Sequence, residues 1–174
     1  MNRACRIPGS LRLRCYYEPQ LIQLDFCDLC ISETHEIYKA SPYSIAINEY
    51  IRNIGDLMFY LGLELIEGVV AGRPCLIRHD LSPDQVDCHT GLTNRELIAL
   101  GRIPVDPASS CRKVHLHHIG QKPDSPFAEL TTDEDVSFRG NPIHYSEDSV
   151  IDRRKFAKER KIHWQARWLH MRKD

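Results

Sequence analysis

The chain has 174 residues, enough for one ordinary domain or for a compact module with an elaborated N-terminal part. With 42% hydrophobic and 27% charged residues, its composition is that of a globular chain and excludes a disordered one. No apolar run approaches the roughly 20 residues that span a bilayer, and a formal net charge of −1 by itself points to no partner.

Residues 1–43 show no sustained period. Leu11, Leu13, Tyr16, Tyr17, Leu21, Ile22 and Leu24 lie among Pro8, Gly9 and Pro19, which leaves short strands or irregular structure open. Cysteines stand at 5, 15, 27, 30, 75, 88 and 111. Their odd number, irregular spacing and the lack of a secretory signal peptide predict thiols in a reducing compartment, with a cytoplasmic location. Cys27 and Cys30 form one CxxC without a second pair at zinc-ribbon spacing. A structural zinc held there with some of the histidines is one alternative to weigh.

Ile47, Ile51, Ile54, Met58 and Leu61 follow steps of four and three, which predicts one amphipathic helix over about 44–67. Ser44 is its candidate cap, and its stripe reads as core packing. A short strand is expected over 74–78, then a polar loop over 80–90. Thr93 followed three residues later by Glu96 has the capping-box form and opens a brief helix stopped by Gly101 and Pro104. Residues 106–112 read as a turn-rich approach to the next element.

Three of the nine histidines fall within residues 113–119, Lys-Val-His-Leu-His-His-Ile. The apolar Val114, Leu116 and Ile119 suit a short strand. Neighbouring side chains on a strand point to opposite faces, so His117 and His118 need not do the same job. One can hold a metal while the other takes a proton. Gly120, Pro123 and Pro126 then break the chain. A second capping box, Thr131 to Glu134, starts a helix of about two turns that Gly140 ends. His144 follows on a turn or at the start of a new element. Residues 152–170 read as a helix with Phe156, Trp164 and Trp168 on one side and Arg153, Arg154, Lys155, Lys158, Arg160, Lys161 and Arg167 on the others.

Charge is unevenly spread. Residues 121–150 carry two basic against seven acidic side chains, and residues 151–174 carry nine against three. A cation site beside a phosphate-binding surface fits this pattern, as does a solvated helix with complementary surface charge. Adjacent His117 and His118, with His144 about 25 residues on and Asp133, Glu134 and Asp135 between, offer imidazole and carboxylate ligands for one divalent cation. Phosphodiester hydrolysis needs an activated water and neutralisation of developing charge; a neutral histidine and a bound cation meet those needs.

From Gly91 to about Leu169 the chain resembles the LHH group of the HNH/endonuclease VII nuclease superfamily. The blocks that carry the resemblance are Gly91 to Leu97, Gly101 to Pro104, Leu116-His117-His118-Ile119-Gly120-Gln121, Glu129-Leu130-Thr131, Gly140-Asn141 with His144, and Ile151-Asp152-Arg153 with Phe156, Arg160 and Trp164. The resemblance implies a small ββα-metal, treble-clef-like core and a metal-dependent endonuclease acting on DNA. It implies His117 as metal ligand, His118 as general base, His144 as a second ligand or phosphate contact, and Asn141 as an orienting group. Gln121 and Arg153 become candidate substrate contacts; Arg154, Lys158 and Lys161 join Arg153 as expected phosphate contacts on the basic helix. Such domains commonly end larger bacterial competition proteins, which implies a toxin role, export into the cytoplasm of a target cell and a cognate immunity protein.

Two positions depart from the family pattern. Where the resemblance implies a Glu-His pair, this chain has Glu134-Asp135, so Asp135 is either a third ligand, shifting preference from zinc or nickel towards magnesium or manganese, or the mark of a weakened or lost activity. His163 stands where an aromatic is more common and reads as packing or surface. The expectation is therefore an α+β chain, mainly helical, with residues 1–88 of unclear role and a nuclease domain over 89–174. The second expectation is a nucleic-acid- or protein-binding module that keeps the fold without the catalysis.

Overall fold

The structure is a computed structural model that describes residues 26–140 and 151–171. Six α-helices and five strands make up these residues: α1 (Phe26–Ala40), α2 (Ile45–Asn48), α3 (Ile54–Gly62), β1 (Ile66–Val70), β2 (Arg73–Ile77), α4 (Asn94–Ala99), β3 (Val105–Asp106), β4 (Ser109–His118), β5 (Phe127–Thr131), α5 (Thr132–Gly140) and α6 (Arg153–Met171). The class is α+β, and the strands form one mixed sheet in the order β1-β2-β5-β4-β3. Only the β2–β5 pair is parallel.

The sheet is wider than the small core expected. It draws β1 and β2 from the N-terminal half, and β2 pairs with β5 through Cys75↔Phe127 and Leu76↔Ala128. Ala71 and Gly72 both have positive φ in the two-residue β1–β2 connection, and successive positive φ values match the right-handed twist of a tight hairpin.

Local chemistry explains most element ends. Both predicted capping boxes form. Thr93 Oγ1 accepts from Glu96 N at 3.3 Å while Glu96 Oε2 accepts from Thr93 N at 2.8 Å. Thr131 and Glu134 repeat the exchange at 3.3 and 2.7 Å at the start of α5. The single helix expected over 44–67 is instead two helices followed by a strand. Asn53 restarts the helix by accepting from Asp56 N at 2.8 Å, which competes with a continuous turn. The restart shifts the helical phase: Ile47, Ile51 and Leu57 are buried, but Met58 faces solvent. Ser109–His118 form a ten-residue strand that begins inside the stretch expected to be turn-rich.

Strand alternation separates two cores. Leu76, Ala128 and Leu130 join Ile47, Leu57, Tyr60 and Leu65 of the N-terminal layer. Cys75, Val114, Leu116 and Phe127 join Ile98 and Trp164 on the opposite face, with Phe156 and Trp168 packed against them. The aromatic side predicted for α6 therefore faces the sheet. Arg167, expected among its outward cations, is instead buried. Cys88 and Cys111, expected as thiols, are joined as a disulfide.

Candidate active site

The histidine strand is β4, and its two faces carry different chemistry. His115 and His117 pair across the ladder with Leu130 and Ala128, and His118 pairs with Phe127. His117 thus faces the N-terminal layer and α5, whereas His118 faces α6.

α5 follows β5 without a linker, and its first turn is stitched to β4. Thr132 Oγ1 donates to Lys113 O at 3.0 Å, and His115 Nε2 lies 3.2 Å from Thr132 Oγ1. Residues three apart share a helix side, as residues two apart share a strand face. Asp135 is therefore brought opposite His117, with His117 Nδ1 3.1 Å from Asp135 Oδ1. Both are buried, at 8% and 6% exposure. Tyr60 lies in the same layer, and its phenol is raised well above its ordinary value by burial, then by Asp56, with a contribution from Asp135.

His118 sits in an aromatic clamp. Its ring meets Phe127 edge-on at 4.8 Å and lies tilted on Phe156 at 4.7 Å. Nε2 is buried and has no hydrogen-bond partner among the described residues. Burial, followed by the positive charge of Arg73, pushes the imidazole down to about 4. The Arg73 guanidinium lies 4.1 Å over the Phe127 ring and donates to Pro123 O at 2.8 Å.

On the α6 face stands a buried ionic network centred on Glu129, which pairs with Leu116 across the ladder and is fully buried. Its Oε1 accepts from Arg167 Nε and from His163 Nε2, each at 2.8 Å, and its Oε2 accepts from Arg78 N at 2.9 Å. Burial alone raises a carboxyl, but the His163 hydrogen bond and the Arg167 charge outweigh it and hold Glu129 below its usual range. Arg78 extends the network to Glu134 at 2.7 Å and Asp80 at 2.6 Å. Sheet, α5 and α6 are thereby tied to one set of charges. His163 is a packed core residue, one of the two readings, packing or surface, that its sequence context left open. Sequence reasoning missed the roles of Glu129, Arg167 and Arg78; the available signal was a charged residue inside the otherwise apolar and small run Phe127-Ala128-Glu129-Leu130.

Of the remaining predicted site residues, Asn141 and His144 lie outside the described residues. Gln121 ends a 3₁₀ turn with φ 57° beside Gly120. Arg153, Arg154, Lys158 and Lys161 are exposed on α6. Lys161 packs its stem over Gly101, so it is less free than the other three. The side chains of Cys27 and Cys30 also lie outside the described residues. Among those described, the group of three metal-ligating side chains is Cys88, His89 and Cys111, none of them predicted. No described helix is long and apolar enough to cross a membrane.

Residues 93–170 match the family model described as LHH, a nuclease of the HNH/ENDO VII superfamily with conserved LHH. The matched stretch, a little under half of the chain, is similar to that superfamily, and it contains Leu116-His117-His118 on β4. Comparisons with curated proteins and with solved structures give no match.

Proposed function

We propose that this protein is a metal-dependent endonuclease that hydrolyses phosphodiester bonds of double-stranded DNA, with a ββα-metal site built on β4, β5 and α5. The observation that carries the reading is the His117–Asp135 pair within the LHH match: an imidazole and a carboxylate from adjoining elements, 3.1 Å apart. Donors held about 2.1 Å from one octahedral cation, as for magnesium, lie about 3.0 Å from each other when adjacent. The pair therefore fits one divalent ion in both donor type and spacing. His144 is the proposed further ligand, and Asn141 the group that orients the site. Magnesium, manganese, zinc and nickel are all within the chemistry of this donor set, with Asp135 favouring the harder ions.

A bound ion supplies charge neutralisation at the phosphate and stabilises the leaving oxygen. His118 is the proposed base. Burial keeps its imidazole neutral, which leaves a ring-nitrogen lone pair for the proton of the attacking water, and the same burial makes it a weak base. Glu129, through Arg78 and Arg167, keeps α5 and α6 in register with β4. Arg153, Arg154 and Lys158 are the proposed phosphate contacts, with Gln121 and Lys161 at the margins. The superfamily assignment supports a nuclease; the toxin role, an immunity protein and action in a target cell's cytoplasm are proposals that follow from it.

The test is a plasmid-nicking assay with magnesium, manganese, nickel and zinc in turn. Metal-dependent nicking is expected, and His118→Ala, shown folded by circular dichroism, is expected to lose about two to four orders of magnitude in rate. A folded variant that cuts at the parental rate removes His118 from the mechanism.

One observation favours a second reading. His118 is clamped between Phe127 and Phe156 on the face opposite His117 and Asp135. A module that keeps the fold for binding and has lost catalysis accounts for this equally directly. It predicts salt-dependent duplex binding without nicking under any of the four metals.

A further inference from the structure

Cys88 and Cys111 stand apart from the histidine pair. Cys111 lies six residues before His117 on β4, roughly 20 Å along the strand. Both cysteines are exposed, as is His89, and their Sγ and ring nitrogen atoms all lie within 4.8 Å of one another.

Contacts that do not involve sulfur hold this cluster together. Cys88 N donates to Ser110 O at 3.0 Å, which pins the turn to β4 beside Cys111. Lys113 Nζ reaches Asp87 Oδ2 at 2.8 Å. The same carboxylate accepts from Thr90 Oγ1 at 2.6 Å, and the Asp87 carbonyl accepts from Gly91 N at 2.8 Å. Asp87 therefore both shapes the turn that carries Cys88 and His89 and docks it on the strand that carries Cys111. The Cα atoms of the two cysteines are 5.2 Å apart, and none of these scaffold contacts uses a sulfur atom.

We propose that Cys88, His89 and Cys111 form a site for a thiophilic divalent cation of the zinc class in the reduced chain, so that metal binding and disulfide formation are alternative states of one cluster. A small dithiol supplies two electrons and two protons to the S–S bond and leaves as its own disulfide. The cation then displaces the two thiol protons, which pass to solvent, and the neutral His89 imidazole donates a third lone pair. Three protein donors leave the fourth tetrahedral position to water. Either state closes the segment from Cys88 to Cys111, which contains α4 and β3 and leads directly into the histidine strand. The cluster thus keeps that segment closed in both reducing and oxidising surroundings.

The full-length protein, reduced and stripped of metal, is titrated with Co²⁺ and followed by thiolate-to-cobalt charge-transfer absorption, with Zn²⁺ displacing the probe. The reduced parent, His117→Ala and the double variant Cys27→Ser/Cys30→Ser are all expected to develop the band at about one equivalent, the capacity of a single tetrahedral site. Oxidised parent and Cys111→Ser are expected to lose it. His89→Ala should weaken uptake by about tenfold or more, since even outer partners of metal ligands carry that much. A reduced parent without the band overturns the proposal, as does Cys111→Ser retaining it. A band lost only in the Cys27→Ser/Cys30→Ser variant also overturns it, by moving the thiolate site to the N-terminal pair.

Discussion

His117 on β4 and Asp135 on α5 meet with Nδ1 and Oδ1 3.1 Å apart, both largely shielded from water. The contact joins a strand residue that a period of two turns towards the helix to a helix residue that the capping box positions one turn in. The structure places Asp135, the position where the resemblance leads one to expect a histidine, against the first histidine of the Leu116-His117-His118 run.

If Asp135 is a metal ligand, replacing it alters metal preference as well as rate. Asp135→His is expected to move the best cofactor in plasmid nicking from magnesium or manganese towards nickel or zinc, because imidazole suits the later transition metals. Asp135→Ala should reduce cleavage under every metal by about a hundredfold or more, comparable to the loss of other catalytic groups. Unchanged metal ranking in a folded Asp135→His removes Asp135 from the ligand set.

The Glu129 network predicts a stability defect without contact to substrate. Glu129→Ala leaves Arg167 and His163 facing each other in the core and should cost about 3–5 kcal/mol in chemical denaturation. A loss below about 1 kcal/mol would show that the network is dispensable for the fold.

Acid sensitivity follows from the same carboxylates. Asp87 is held down to about 2 by the Lys113 hydrogen bond and then by that of Thr90, and Glu129 is also depressed. The unfolded chain binds protons at these groups more readily than the folded chain, so they contribute stability above their ordinary range of about 4. That contribution is lost as pH falls from about 4 towards 2. Thermal melts from pH 7 to pH 2 should show most of the decline below pH 4, and Asp87→Asn should flatten part of it.

Gly120 has φ 68°, and a Cβ there would stand 2.5 Å from the Tyr50 backbone oxygen. Backbone has little room to give, so Gly120→Ala should destabilise by about 1–3 kcal/mol. Because Gly120 follows the histidine pair, the same variant should also lower cleavage. A melting temperature equal to the parent's would show that the Tyr50 segment shifts freely.

For the basic helix, each lost phosphate contact should reduce the salt slope of duplex binding by about one. Arg154→Glu and Lys158→Glu are expected to weaken binding and lower the slope without changing the fold. Binding and cleavage that survive both reversals would leave α6 as a solvated face.

The sequence alone determined the features that depend on neighbours along the chain. Thr93–Glu96 and Thr131–Glu134 announce helix starts because a capping box is closed within four residues. The alternation at His117 and His118 assigns them to opposite faces because a strand repeats every two residues. The aromatic side of α6 is legible for the same local reason. Tertiary structure decided what depends on partners distant in sequence. The parallel β2–β5 pairing draws residues 66–77 into the sheet, and no short-range pattern encodes it. The apparent Ile47-to-Leu61 stripe broke because Asn53 capped a second helix, whose phase was then set by packing on Leu76 and Leu130. Arg167 looked like one more surface cation until the buried Glu129, 38 residues earlier, supplied its counter-charge. Cys88 and Cys111 looked unrelated until Asp87 and Lys113 brought their segments together.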